Sequence, residues 1–381
     1  MFSSQRQKGT VLVVDVDDAS VGVAIVATGE VAYMRQANRA MLPVEKRSPE
    51  HSASAIAQLL ADTIDATMKA YMSDVNAAPI AATYAIVRAP WVRFRTAHLE
   101  EKYTEPVLVS DTIITEFAKK ALQLASDFTP ANRLESGIVH AYLNGYPTAN
   151  PGGKHASQIA MTVYESDITM DARTMVTETL LKALPGRQPI IRSSVCALLS
   201  IAGEYLPTTN RSILIDVGAS STHCAVVVND AVVQTKTVFE GLATILSRVG
   251  GGAFPEETLT QLRMLATDTC ATDACKSLKD SLARVEPELA KVFGEIFAGF
   301  TRELRLPNTA ILSAPGELMP WLSGFFSRID FSQFTATMQP LEVETLTAEH
   351  LSTILHWEGR QPDTALGIAG AYVNILASAA K

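Results

Sequence analysis

The chain has 381 residues, of which 47% are hydrophobic and 19% are charged, and this predicts a well-filled core divided into two domains or subdomains. The formal net charge of −8 argues against a nucleic-acid-binding protein, whose surface would be basic. No apolar run reaches the about 18 residues of a transmembrane helix, and the polar start MFSSQRQKG lacks the apolar region of a secretion signal.

Three short strands joined by tight turns are predicted first, in residues 9–36 (GTVLVVDVDDASVGVAIVATGEVAYMRQ). The first strand ends in Asp15, and Asp17 and Asp18 follow in the turn. Apolar residues at helical spacing then predict a helix within residues 50–74. Strands followed by a helix indicate a layered α/β fold.

Residues 82–184 have a different character and predict a small α+β unit inserted into the first half. The predicted order is strand, strand, helix, strand, loop, strand and helix. The first of these helices covers residues 111–128, with Ser110 and Asp111 available as caps.

A second group of three strands follows in residues 213–238 (ILIDVGASSTHCAVVVNDAVVQTKTV). Its first strand ends in Asp216, as the first strand of the chain ends in Asp15. The separation of about 200 residues indicates a duplicated subdomain rather than a solenoid repeat. Helices follow again, then a short strand in TAILSAP and a final helix of small residues in PDTALGIAGAYVNILASAA.

The cysteine and histidine residues form no metal-binding pattern. Cys270 and Cys275, in DTCATDAC, lack a second ligand pair or a nearby histidine, and Cys196 and Cys224 lie in apolar runs. We therefore expect free thiols in a reducing cytoplasm.

The turn DVGASST, at residues 216–222, has the composition of an anion-binding site. Small residues let backbone N–H groups approach an anion closely, hydroxyl groups add donors, and an aspartate can hold a metal or a water. Glycine, serine and aspartate also form ordinary turns, so a plain hairpin is the alternative. The duplicated architecture favours a phosphate-binding origin.

Duplicated three-stranded groups with an aspartate at the first turn resemble the superfamily of actin, the heat-shock chaperone ATPases and the sugar kinases. The segment YLNGYPTANPGGKHASQIAMTVY is similar to part of the small insertion domain of the bacterial actin-like proteins FtsA and PilM. The resemblance implies an α/β, actin-like ATPase fold with two duplicated ribonuclease-H-like subdomains and an inserted SHS2-like domain. The predicted divisions are 9–81 and 185–210 for the first half, 82–184 for the insertion, and 211–381 for the second half.

In this family the two turns face each other across a cleft and bind ATP with magnesium. The resemblance implies that Asp15 and Asp216 hold magnesium through water. The positions it implies for nucleotide binding are Asp15, Asp17, Asp18, Asp216, Gly218, Ser220, Ser221, Thr222 and Gly316.

Several of these positions depart from the family pattern. Asp17 replaces a glycine and Asp18 replaces a hydroxyl residue, and two extra carboxylates repel a triphosphate unless a metal lies between them. Pro315 interrupts the predicted adenine loop, because it removes a backbone donor. We therefore expect ATP binding to be weak or lost, and replacing Asp17 by Gly and Asp18 by Thr to strengthen it. No catalytic residue is predicted.

The resemblance implies a cytoplasmic scaffold that docks a membrane-bound assembly through a membrane-anchored protein or its cytoplasmic peptide, and that can self-associate. The sequence ends without a basic amphipathic tail, which favours a PilM-like role in type IV pilus assembly, whereas NGYPTANPGGK is closer to FtsA, a cell-division protein. A small-molecule kinase of the same superfamily is a third hypothesis, and it would need a catalytic aspartate beside an intact phosphate loop. We expect no direct membrane insertion and a position at the inner membrane through the partner.

Overall fold

A computed structural model describes residues 9–43, 52–123, 130–206, 210–250, 255–266, 273–302, 304–316, 318–357 and 363–379. Its strands are β1 (Thr10–Val16), β2 (Ser20–Ala27), β3 (Ala32–Met41), β4 (Ile80–Val87), β5 (Val92–Leu108), β6 (Arg133–Leu143), β7 (Tyr146–Pro147), β8 (His155–Ile168), β9 (Ile190–Ser193), β10 (Arg211–Val217), β11 (Thr222–Val228), β12 (Ala231–Val238), β13 (Thr309–Ser313), β14 (Glu342–Thr345) and β15 (Leu355–Trp357). Its helices are α1 (Ser52–Met72), α2 (Asp111–Gln123), α3 (Met170–Ala183), α4 (Ser194–Tyr205), α5 (Leu242–Gly250), α6 (Pro255–Ala266), α7 (Asp273–Phe300), α8 (Met319–Arg328), α9 (Ala348–Ser352) and α10 (Thr364–Ala379).

The first sheet has the strand order β15-β3-β2-β1-β4-β9. Its strands β1, β2 and β3 form an antiparallel meander, while β4 runs parallel to β1. Alternate residues of β1 enter different cores: Leu12 and Val14 pack with α1 and α3, and Val11 and Val13 pack with α4 and α10. Because a strand alternates its side chains, a sheet that is covered on both faces needs this continuous apolar run.

The second sheet repeats this plan with the order β12-β11-β10-β13-β14. Strands β10, β11 and β12 form the second antiparallel meander, and β13 lies parallel to β10. Ile213 and Ile215 pack toward α5, α7 and α8, whereas Leu214 joins the apolar cluster that contains α4 and α10. The two halves therefore share one core between their sheets.

The third sheet is antiparallel, with the order β5-β8-β6-β7, and α2 covers it. Phe117 and Ala121 of α2 pack against Ile159 and Met161 of β8. The predicted helix over residues 111–128 corresponds to α2, and the end of that prediction lies outside the described residues.

The boundaries of the inserted unit follow from strand pairing. Strand β4 belongs to the first sheet beside β1, and α3 packs against α1. The strands of the third sheet begin at Val92 and end at Ile168. We therefore propose residues 92–168 as the inserted unit, which is narrower than the predicted 82–184.

The end of the described chain returns to the first half. Strand β15 pairs in parallel with β3, and α10 packs against β1, β2 and β3. Part of the predicted second half, residues 211–381, thus lies against the first sheet. Cys196 and Cys224 are buried free thiols, while Cys270 and the side chain of Cys275 lie outside the described residues.

Candidate functional site

Two equivalent turns lie at the ends of β1 and β10. The first turn comprises Asp17–Ala19 and the second turn comprises Gly218–Ser221. In the first turn the Asp17 N–H donates to the Ser20 carbonyl at 3.0 Å, and in the second the Gly218 N–H donates to the Ser221 carbonyl at 2.8 Å. The same backbone hydrogen bond at matching positions is what a structural duplication predicts.

The two turns line a cleft of about 890 Å³. Both Asp15 and Gly316, which sequence analysis predicts for nucleotide binding, lie on its wall. Apolar side chains, among them Leu242 and Leu259, form part of the lining. The segment from Ser313, the last residue of β13, to Gly316 forms the wall where the adenine loop is predicted.

Two arginines occupy the floor of this cleft. Arg39 of β3 donates from Nη2 to Asp15 Oδ2 at 2.5 Å and from Nε to Asp363 Oδ2 at 2.5 Å. Arg88, directly after β4, donates from Nε to Asp15 Oδ1 at 3.0 Å. Both carboxylate oxygens of Asp15, which is 1% exposed, thus accept from a guanidinium.

Arg88 also connects the two halves. Its Nη1 donates to Asp216 Oδ1 at 3.0 Å, so that a single guanidinium bridges the aspartates of β1 and β10. Asp15 and Asp216 therefore lie on either side of one guanidinium, near the ends of equivalent strands.

Asp17 and Asp18 contact the second turn directly. Asp17 Oδ1 accepts from the N–H groups of Ala19 and Ser20, at 2.9 and 2.5 Å, within its own turn. Its other oxygen, Oδ2, accepts from the Ala219 N–H at 3.0 Å across the cleft. Asp18 Oδ1 accepts from the Ser220 hydroxyl. The substitutions that sequence analysis treats as repulsive are thus hydrogen-bonded in the structure.

The other hydroxyl groups predicted to face phosphates also have protein acceptors. Ser221 donates from Oγ to the Ala89 carbonyl at 3.1 Å, and Thr222 donates from Oγ1 to the Glu240 carbonyl at 2.6 Å. A Cβ at Gly218 would meet the Ser221 carbonyl at 3.1 Å, so a side chain there would crowd the turn. Thr222 and Ser221 are buried.

The pKa values of Asp15 and Asp17, two carboxylates of the cleft, are shifted in opposite directions. Burial alone would raise the pKa of Asp15, but Arg88 and Arg39 attract its charge and lower the pKa below its ordinary value. Burial raises the pKa of Asp17, although the N–H groups of Ala19 and Ala219 partly offset that effect. Burial would lower the pKa of Arg88, but Asp15 and Asp216 raise it.

These contacts decide how well ATP with magnesium fits the residues. Magnesium prefers carboxylate oxygens and water, but here a magnesium ion would lie beside the guanidiniums that bind Asp15 and Asp216. Within the described part of the chain, no group of three His, Cys, Asp or Glu side chains is arranged to hold a metal. The Ala219 N–H and the hydroxyl groups of Ser220 and Ser221 already have protein acceptors. In this arrangement the residues do not fit the magnesium nucleotide.

Sequence reasoning missed Arg39 and Arg88. The signal for Arg88 is its place after β4, because parallel neighbouring strands end at the same edge of a sheet, beside Asp15. No comparable signal exists for Arg39, whose approach to Asp15 depends on Gly22 having no side chain. A Cβ at Gly22 would lie 2.7 Å from Arg39 Nη2.

No protein-family model matches the chain, and no curated protein matches it. Among solved structures, the chain is similar to one described as "PilM-PilN type IV pilus biogenesis complex", with 14% identity, 98% of each chain covered and a TM-score of 0.57. It is also similar to the ethanolamine utilization protein EutJ from Carboxydothermus hydrogenoformans, with 12% identity, 96% of this chain and 89% of that chain covered, and a TM-score of 0.44. A ROK hexokinase from Thermus thermophilus matches with 11% identity, 96% and 99% coverage, and a TM-score of 0.36.

The likeness to the PilM structure covers 98% of both chains and concerns the fold alone. The predicted fold class is therefore confirmed: the chain has the actin-like ATPase fold, in the form found in the PilM structure.

Proposed function

We propose that this chain is a PilM-like scaffold, which binds a cytoplasmic segment of a membrane-anchored partner in type IV pilus assembly. The observation that supports the proposal is the likeness over 98% of both chains to a structure of PilM in complex with PilN. The state of the cleft agrees with a binding role rather than an enzymatic one. A kinase needs a carboxylate free to act as a base, and both oxygens of Asp15 and of Asp17 are already hydrogen-bonded.

Charge complementarity agrees with a partner of this kind. The chain carries a net charge of −8, and cytoplasmic segments next to transmembrane helices carry an excess of Lys and Arg. Opposite charges raise the association rate and orient the encounter. Among the described helices none is long and apolar enough to cross a membrane. In this proposal the partner supplies the membrane anchor.

The experiment uses the purified chain and a fluorescein-labelled peptide. The peptide is the cytoplasmic segment of the PilN-like membrane protein that this proposal assigns as the partner. We expect saturable binding by fluorescence anisotropy, with a dissociation constant of about 10 μM, or roughly −7 kcal/mol. Because the attraction is partly electrostatic, added salt should weaken it.

A scrambled peptide of the same composition is the control, because it keeps the charge and loses the sequence. Equal binding of both peptides would contradict the proposal. Saturable binding of a division-ring protein, with none of the pilus peptide, would support the FtsA-like alternative instead.

A further inference from the structure

We infer that this chain holds its two halves together at the cleft with its own side chains, in place of a magnesium nucleotide. The cleft latch is defined here as Arg88 between Asp15 and Asp216, together with Asp17 and Asp18 of the first turn, which accept hydrogen bonds from the second turn. Three of its hydrogen bonds join the two halves: Arg88 to Asp216, Ala219 to Asp17, and Ser220 to Asp18. The fourth, from Arg88 to Asp15, pairs two charged residues of the first half. The inference stands apart from the pilus role, which concerns a partner.

The donors of the second turn bind carboxylates of the chain itself. An anion at such a turn would accept from backbone N–H groups and hydroxyls. The chain provides its own anions there, because Asp17 accepts from the Ala219 N–H at 3.0 Å and Asp18 accepts from the Ser220 hydroxyl. Both carboxylates lie on the opposite half from the donors. These carboxylates accept the hydrogen bonds that phosphate oxygens would accept at the second turn.

Arg88 supplies the positive charge between Asp15 and Asp216. In a magnesium-nucleotide site, a divalent ion offsets the charge of the carboxylates and the phosphates. Here the guanidinium of Arg88 lies 3.0 Å from both Asp15 and Asp216 and takes that role for the two carboxylates. A planar guanidinium suits the position because its separate N–H groups can donate to two acceptors at once. Arg39 completes the balance on Asp15.

The charges at the floor of the cleft also oppose the binding of a triphosphate. The floor brings together the carboxylates of Asp15, Asp17 and Asp363 with the guanidiniums of Arg39 and Arg88, and Arg88 also binds Asp216, so these guanidiniums are already paired with carboxylates. A triphosphate would add further negative charge, and magnesium would have to displace guanidiniums that are already bound. Closure without nucleotide follows from these contacts.

The test measures backbone hydrogen exchange in the second turn and thermal unfolding of the whole chain. With ATP and magnesium chloride at about 5 mM each, we expect no change in exchange and a shift in unfolding midpoint below about 1 °C. Protection of the turn by the nucleotide, or a clear rise in the midpoint, would overturn the inference.

Arg88→Gln tests the latch itself. Without nucleotide, we expect exchange in the second turn to rise about tenfold or more, because the bridge between Asp15 and Asp216 is lost. The matched control is Arg93→Gln, which removes a guanidinium from a buried carboxylate, Asp167, within the third sheet. The control should leave exchange in the second turn unchanged. Equal exchange in Arg88→Gln and the parent would also overturn the inference.

The double variant Asp17→Gly, Asp18→Thr keeps the test decisive if Arg88→Gln does not fold. It removes only the two first-turn carboxylates that accept from the second turn, and it leaves the Arg88 bridge in place. We expect faster exchange in the second turn. The sequence alone predicts stronger ATP binding for this variant, but the structure reverses that expectation: we expect no measurable binding of magnesium ATP by isothermal titration, because Arg88 and Arg39 still hold Asp15. Micromolar binding by the double variant would mean that charge alone excludes the nucleotide, and the latch would then be rejected.

Discussion

At the scale of single residues, Arg88 lies between two carboxylates that belong to different sheets. Its side chain is 9% exposed, and those of Asp15 and Asp216 are 1% and 6% exposed. Removing one member of a buried ion group leaves the other charges uncompensated. We expect Arg88→Gln to lower the free energy of unfolding by about 3–5 kcal/mol, measured by urea denaturation.

The comparison for this prediction is Lys120→Gln. Lys120 pairs with Glu101 at 3.0 Å, but its side chain is 59% exposed. An exposed pair contributes at most about 1 kcal/mol, so this change should have a small effect. A similar loss of unfolding free energy in both variants would mean that burial is not the reason why the Arg88 bridge stabilises the fold.

His223 predicts a pH dependence. It lies on β11 opposite Asp216, and burial lowers its pKa from 6.5 to about 4. The unfolded chain therefore binds a proton between these values that the folded chain does not. Stability rises with pH across this window and is lost as the pH falls below 6.5.

We expect His223→Gln to remove about 2 kcal/mol of the stability difference between pH 7 and pH 5, measured by urea denaturation at each pH. Glutamine does not titrate and can still hydrogen-bond Thr237, whose Oγ1 lies 3.0 Å from His223 Nδ1. The control is His155→Gln, at an exposed position. An unchanged pH difference in His223→Gln would contradict the prediction.

At the scale of elements, the first turn of α10 packs closely on β2. A Cβ at Gly22 would lie 2.8 Å from Leu366 Cγ, besides its close approach to Arg39. Both neighbours would have to move, and overpacking typically costs about 1–3 kcal/mol. We expect Gly22→Ala to destabilise the fold by this amount in thermal or urea denaturation.

Gly203→Ala is the control for this prediction. Gly203 lies in α4, and a Cβ there would have open space within 4 Å. Alanine is a better helix former than glycine by about 1 kcal/mol, so this variant should be as stable as the parent or more stable. Destabilisation of both variants would mean that the contact with α10 is not the cause.

At the scale of the whole molecule, the net charge of −8 predicts its behaviour at a lipid surface. Anionic lipids attract basic segments and repel an acidic protein, within about 8 Å at physiological ionic strength. We expect the purified chain not to sediment with anionic vesicles. The same vesicles carrying a membrane-anchored form of the partner peptide should recruit it. Strong sedimentation without the peptide would contradict both the prediction and the need for a partner.

The sequence by itself determined the repeated local structure. The short β-branched runs of residues 9–36 and 213–238, separated by turn residues, define two meanders, because strand preference and turn residues act over a few neighbouring positions. The aspartate next to the last residue of each first strand, Asp15 in β1 and Asp216 in β10, marked the pair of turns and led to the fold class. These features depend on residues close together in the chain.

Only the tertiary structure decided what fills the cleft. Arg88 is 73 residues from Asp15 and 128 residues from Asp216 along the chain, and Asp17 is 202 residues from Ala219. Such contacts depend on the order of strands in the sheets and on how the two halves close. The pairing of β15 with β3 is of the same kind. The sequence alone therefore showed that two turns carry aspartates and resemble a nucleotide-binding site. Only the folded chain showed that arginines pair with these aspartates, because a buried carboxylate needs a cation close by.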